Sequence, residues 1–318
     1  MSSSSPSSPS LSPAKSPRAS SSRSVAQLQL TLAMITVGST VIASKIIGAG
    51  LDPMPATALR FAFALPVLLV LMRVTGTAFP RPSLRDAGLL IAQAAIGSVG
   101  YTVLLIAGTR RTSAADAGII LGTLPAVCAL TAAVVLRERL RASTLIAVSV
   151  ASLGVALVTL APAAQHGGGS LTGDALLIGA VICESLFVLL NKRLAMPWPP
   201  LALSTAMTGI GFVVSALAAS PDWPATLHAL PPHALLAVAY YALVPTVGGF
   251  WLWYTGASRV SGAEAAIFTA VAPVSGVVLA ALLLGEPLTP ARLAGLALVV
   301  VAVFVTAAPG VRRRPRQR

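Results

Sequence analysis

Polar and charged residues in this chain sit in short intervals between long apolar blocks, and the blocks themselves carry no amphipathic period. Each block is close to the roughly 20 residues that a helix needs to cross a bilayer. Ten can be drawn: Val25–Ile47, Met54–Met72, Asp86–Ala107, Ala114–Leu136, Ala142–Ala161, Leu171–Asn191, Leu201–Ala219, His233–Tyr254, Ala263–Leu284 and Ala291–Ala308. Helices are the expected form, because a chain surrounded by hydrocarbon has to satisfy its backbone N–H and C=O groups internally.

The blocks are duplicated. Ser113–Val158 aligns without a gap on Ser261–Thr306. The alignment puts Pro125 on Pro273, Glu138 on Glu286, Asp116 on Glu264 and Leu140 on Leu288, and just upstream Gly108 on Gly256 and Arg111 on Arg259. Five blocks fall in each copy. An odd number makes the second copy start on the opposite side of the membrane from the first, so the copies are inverted, as in many transporters. The expected fold is an all-α integral membrane protein, with ten transmembrane helices arranged as two inverted five-helix repeats. The repeats cover residues 25–162 and 171–309, and a Gly-rich linker at 163–170 joins them. Residues 1–24 are Ser/Pro-rich with no apolar core and read as a disordered cytoplasmic tail. Residues 310–318 form a basic tail.

Composition agrees with the pattern: 56% of the 318 residues are hydrophobic and 10% are charged. The formal charge of +13 would raise the question of nucleic acid in a soluble protein, but its distribution answers as topology. With the N-terminus inside, seventeen Lys and Arg residues fall on the cytoplasmic side. Four (Lys45, Arg110, Arg111 and Arg292) fall outside, and Arg60 lies within a helix. This positive-inside bias predicts a multi-pass protein of the cytoplasmic (inner) membrane with both termini cytoplasmic and no nucleic-acid partner. Cys128 and Cys183 have no metal spacing, and neither a metal nor a cofactor is expected.

Gly38-Ser39 followed by Lys45 in the first block, and Pro53…Arg60-Phe61 leading the second, resemble the EamA family of the drug/metabolite transporter superfamily. TSAADAG…LP…LRERL and VSGAEAA…AP…LGEPL are similar to that family's paired fourth and ninth helices, and WLWYTGASRVSGAEA to its eighth-to-ninth passage. The resemblance runs over roughly residues 26–309. It implies ten helices around a central cavity, with substrates ranging over amino acids, other metabolites and drugs. Val37, where the family often has Trp, and Glu184 in the sixth helix depart from its pattern.

Glu184 lies about 13 residues into the sixth block, roughly 20 Å from its outer end at 1.5 Å per residue. A carboxylate at that depth costs on the order of 3 kcal/mol by insertion scales and should face a cavity or a partner. Its functional reading is a proton-binding or amine-binding group; its structural reading is a carboxyl that locks helices together. Arg60 is the natural partner: it can grip a substrate carboxylate, reach Glu184, or satisfy backbone carbonyls. Pro125 and Pro273, with Gly97 and Pro245, fall at matching places near helix centres. Such interruptions point to hinges at a central site. Tyr240, Tyr241, Tyr101 and Gln93 are candidates to line the cavity. Trp251, Trp253 and Tyr254 read as interfacial anchors. Glu138 and Glu286 read as loop-ordering carboxylates paired with Arg137, Arg139 or Arg292, and His166, His228 and His233 all fall in or beside outer loops.

These readings favour a secondary transporter, not an enzyme, moving a small-molecule substrate across the lipid bilayer by alternating access, with export and proton coupling through Glu184 as the direction and drive. No P-loop is present, so ATP is not an internal energy source. A passive facilitator of the same fold is one alternative, and an intramembrane lipid-modifying enzyme is another, although the sequence has no nucleophile–base or His/Asp cluster. A homodimer and a single chain both stay open.

Overall fold

A computed structural model describes residues 17–136, 142–160, 170–195 and 198–307, and among them every regular element is a helix. The chain runs α1 (Pro17–Gly50), α2 (Pro53–Thr75), α3 (Leu84–Thr109), α4 (Ala114–Leu121), α5 (Leu124–Leu136) and α6 (Ala142–Thr159). It continues through α7 (Leu171–Asn191), α8 (Pro200–Ala218), the short α9 (Trp223–His228), α10 (Pro232–Ala257), α11 (Gly262–Phe268), α12 (Val271–Leu284) and α13 (Pro290–Ala307).

Eight helices among the described residues are long and apolar enough to span a membrane, and the bent pair α4–α5 makes nine. The fifth expected block appears as α6, whose apolar stretch Leu145–Thr159 is shorter than a usual span. The seventh block, which carries Ser204, Thr205 and Thr208, forms the full-length α8. Large apolar side chains face outward all round, among them Leu282 at 74% and Leu236 at 73% exposure. Such a surface belongs in lipid, and the chain is a multi-pass membrane protein.

One expectation is corrected at the N-terminus. Residues 17–24, read from composition as part of a disordered tail, are the first turns of α1. The helix is anchored there by its own side chains: Arg23 and Gln27 both donate to the Glu264 carboxylate across the bundle. Residues 1–16, the 163–169 part of the linker, the 310–318 tail, His166, and Glu138 with Arg137 and Arg139 lie outside the described residues.

Small residues bring the helices together, as expected where lipid supplies no hydrophobic drive. Gly118 and Gly276 meet where α4 crosses α12, and a Cβ on Gly276 would stand 3.4 Å from the Cα of Gly118. Gly154 and Gly295 do the same between α6 and α13, where a Cβ on Gly295 would stand 2.8 Å from the Gly154 carbonyl oxygen. α1 runs antiparallel to α10: Gly50 packs near Pro231 and Ala234, and Gly256 packs near Ala26 and Leu30. These contacts give the bundle two distinct ends. One carries Arg23, Asn191 and Glu264; the other carries Lys45, Asp116 and Arg292.

Local sequence sets the helix starts. Ser83, Ser113 and Ser261 each accept the backbone N–H three residues on, from Asp86, Asp116 and Glu264 respectively, which satisfies one of the unpaired donors of the first turn. Pro53, Pro200 and Pro232 open α2, α8 and α10, where a missing N–H costs nothing.

Candidate functional site

Between the two halves lies a cavity of about 610 Å³, and the interrupted helices form much of its wall. α3 and α10 each contain one wide-turned stretch, Gln93–Gly100 and Ala242–Gly249, at nearly equivalent places in the repeat. The second has a direct cause. Pro245 has no N–H to give to the carbonyl of Tyr241 four residues back, and the Thr246 hydroxyl takes that carbonyl instead at 2.9 Å. In α3 the site of interruption is Gly97, where a Cβ would collide with Phe187 of α7.

Arg60 of α2 ties the two interruptions together. Its Nε and Nη2 donate to the Thr246 hydroxyl at 3.1 and 3.0 Å, and its Nη1 donates to the Thr102 hydroxyl. Each hydroxyl has its own proton committed to a backbone carbonyl, Thr246 to Tyr241 and Thr102 to Ser98 at 2.8 Å, so both turn lone pairs toward the guanidinium. The guanidinium also lies 4.1 Å from the ring centre of Tyr241, which places its charge over the π face.

Glu184 faces the same cavity from α7. Its carboxylate has no hydrogen bond or ion pair among the described residues, and Arg60 spends its donors on threonines. The cavity therefore contains a fixed cation already held in place and a carboxylate with its lone pairs available. Among the groups that line the cavity Glu184 is the carboxylate, whose oxygens can take up either a proton or the amine of a substrate.

The remaining candidates divide. Tyr101, Tyr241, Gly97, Pro125, Pro245 and Pro273 all line the cavity, whereas Gln93 and Tyr240 are not part of its wall. Gln93 is fully buried between helices, and its side-chain amide donates to the Phe187 carbonyl at 3.1 Å. Tyr240 turns to Ser39, to which its hydroxyl donates at 2.7 Å. Conversely, Trp253 and Tyr254 line the cavity, whereas Trp251, 58% exposed, is not part of its wall and has the outward position of an anchor. Helical pitch explains these reversals: neighbouring positions differ by about 100° in direction, and depth along the sequence does not say which face a side chain takes.

Pro125 and Pro273 are also placed differently from a mid-helix kink. The fourth block breaks at Gly122–Thr123 with a 45° bend, and the ninth breaks at Thr269–Ala270. Each proline then sits in the first turn of the following helix, where its lost N–H had no partner in any case. The breaks face one another, since a Cβ on Gly122 would stand 2.7 Å from the Cβ of Pro273.

Glu286 orders the opposite half of the protein more than its own loop. Its two oxygens accept the N–H groups of Ala114 and Ala115 at 2.8 and 2.9 Å, at the start of α4. Arg292 lies farther off, 3.9 Å from Glu286, and pairs instead with Asp116. The Asp116–Arg292 pair is not among the pairings expected from the sequence, where Arg292 stands as a partner for a loop carboxylate. Its signal was an acid and a base each within the first turns of an apolar block. Among the described residues no group of His, Cys, Asp and Glu is placed to hold a metal ion, and both cysteines are free thiols.

The profile of the EamA-like transporter family matches residues 25–160 and, separately, residues 171–308. A Bacillus subtilis (strain 168) protein named uncharacterized transporter YetK is 33% identical over 284 residues, covering 88% of this chain and 86% of that one. A Streptantibioticus cattleyicolor protein named a probable terminal-alkyne amino-acid exporter is 27% identical over 229 residues, 71% of this chain and 74% of its own. A solved crystal structure shares the fold with a TM-score of 0.62 at 21% identity, covering 89% of this chain and 96% of that one.

Proposed function

Because the chain belongs to the EamA-like transporter family and is a membrane transporter, we propose that it exports a small organic solute across the cytoplasmic membrane by alternating access, driven by protons bound at Glu184. Ten helices in two inverted five-helix repeats form the machine, with both termini in the cytoplasm. The names of relatives as exporters are in line with this direction, and the bias of basic residues toward one side supports the orientation.

The observation that carries the proposal is the Glu184 carboxylate, held by no hydrogen bond or ion pair among the described residues, in a cavity lined by both halves. A carboxylate at membrane depth that no hydrogen bond or ion pair holds is costly and marks a pathway more often than a brace. Proton and substrate amine compete for the same oxygens, which is the simplest form of antiport. The apolar and aromatic walls, with Tyr101, Tyr241 and Trp253, accommodate the body of an amphipathic solute. Arg60 holds the two wide-turned stretches in register.

The test is solute flux into proteoliposomes, screened over amino acids, nucleobases and cationic drugs, with and without an imposed pH gradient. Uptake that follows the gradient and falls at least tenfold in Glu184→Gln is expected. Flux that ignores both the gradient and the substitution would make the protein a facilitator and Glu184 a structural group.

A further inference from the structure

At the end of the bundle remote from Asn191, four ionisable side chains from both halves gather, two of them fully buried and two partly buried. Arg292, in the first turn of α13, and Asp116, in the first turn of α4, are each 1% exposed. They are joined by Nε–Oδ1 at 2.9 Å and Nη2–Oδ2 at 3.3 Å. Arg292 Nη1 donates to the Pro287 carbonyl at 2.7 Å, and Glu286 lies 3.9 Å away while accepting the first N–H groups of α4. Lys45 of α1 donates to the Thr112 carbonyl at 2.6 Å, just before α4 begins. The four formal charges cancel.

We propose that this cluster is a latch that shuts one end of the transport path and has to part for the site to open on the Arg292 side of the membrane. The inference rests on the alternating-access reading above. Its bonds cross the junction that such a motion opens: Asp116, Ala114 and Ala115 belong to the first repeat, and Arg292 and Glu286 to the second. On this side the cavity wall ends at buried Thr40, Val41 and Gly118, the last of these two residues beyond Asp116 in α4, and the cavity runs the other way to exposed Asn191 and Tyr254.

The latched element is also a separate piece of helix. α4 is buried almost along its whole length, yet it is cut from α5 by the 45° break, so it can shift without dragging the rest of its span. An ion pair suits a contact that opens and closes. Closed, the two charges compensate each other's lost hydration; open, water solvates each of them, so neither state strands a charge. A plug of apolar side chains would gain nothing from the water that enters when it opens. The repeat argues against a merely structural pair, because the position aligned with Arg292 is Thr144 and the acid aligned with Asp116 pairs at the open end with exposed Arg23.

The experiment uses the full chain with Cys128→Ser, Cys183→Ser and a reporter Ser98→Cys, a partly exposed position in the cavity wall. It is reconstituted in vesicles and labelled with a membrane-impermeant thiol reagent applied to each face in turn. Arg292→Gln and Asp116→Asn are each expected to raise the labelling rate from the Arg292 face at least tenfold and to lower it from the opposite face. An unchanged rate in a monodisperse variant overturns the latch, and so does a rise from both faces, which would make the cluster a brace whose loss loosens the bundle. A second measurement needs no substitution. In the wild-type protein, hydrogen exchange over 114–121 is expected to be at least tenfold slower than over 262–268, and equal rates overturn the proposal by themselves. Neither readout uses a substrate, so failure of the Glu184 flux test and failure of the latch are separate results.

Discussion

The half-helices α4 and α11 are aligned copies of one sequence segment in opposite surroundings. Both start with a serine that caps the backbone N–H of an acid three residues on, Ser113 with Asp116 and Ser261 with Glu264. Both acids then bind an arginine supplied from elsewhere in the chain. In α4 that arginine is Arg292, out of reach of water; in α11 it is Arg23, whose side chain is 59% exposed. α4 is packed away on nearly every side, while Ile267 of α11 is 44% exposed. Local chemistry is therefore common to the two copies, and burial alone separates them. A protein made of two equivalent halves that is open at one end has to break its own symmetry, and here it does so at these two segments.

Removing the arginines should give the widest separation between the copies. Arg292→Ala leaves Asp116 buried without its cation and is expected to cost about 3–5 kcal/mol, the usual penalty for breaking a buried pair. The shift is measurable by thermal unfolding in detergent. Arg23→Ala should leave the unfolding temperature at that of the parent, since water replaces the lost partner at an exposed pair. A smaller contrast lies at the breaks that follow. Gly122 has Pro273 and Val299 against the place where its Cβ would stand, and Gly122→Ala is expected to cost about 1–3 kcal/mol by overpacking. The aligned residue in the second copy is already an alanine, Ala270, and Ala270→Gly should cost about 1 kcal/mol or less. The smallest effect tests what the copies share. Ser113→Ala and Ser261→Ala should each cost about 1 kcal/mol, and a large difference between them would mean that burial reaches the cap as well.

Much of the spanning architecture was legible in the sequence because lipid imposes a simple rule on length and polarity. The sixth block matches α7 residue for residue, and most other borders fall within a few positions. The positions of the interruptions were legible too, since Pro245 and the paired Pro125 and Pro273 are chemically unable to complete a helix. Their form was not. Whether a helix widens, as at Tyr241–Thr246, or breaks, as at Gly122–Thr123, depends on which hydroxyl or neighbouring helix takes up the released carbonyl. Glu184 and Arg60 were visible as charges out of place, whereas Gln93 and Tyr240 were placed in the cavity on depth alone, and the rotation of their helices turned them away.

The order of residues alone is enough to make this a duplicated, helix-spanning membrane protein, to mark where its helices are interrupted and to show which of its charges lie within apolar blocks. These follow from interactions within about one helical turn and from the energetics of burying polar groups in hydrocarbon. The partners come from the packed bundle. Asp116 finds Arg292 across 176 positions, and Arg60 finds Thr246 across 186. Pairing at that range is a property of how the helices pack and turn. The same segment is buried in one copy and exposed in the other for the same reason: the alignment makes them equivalent, and the packing of the whole bundle makes them different.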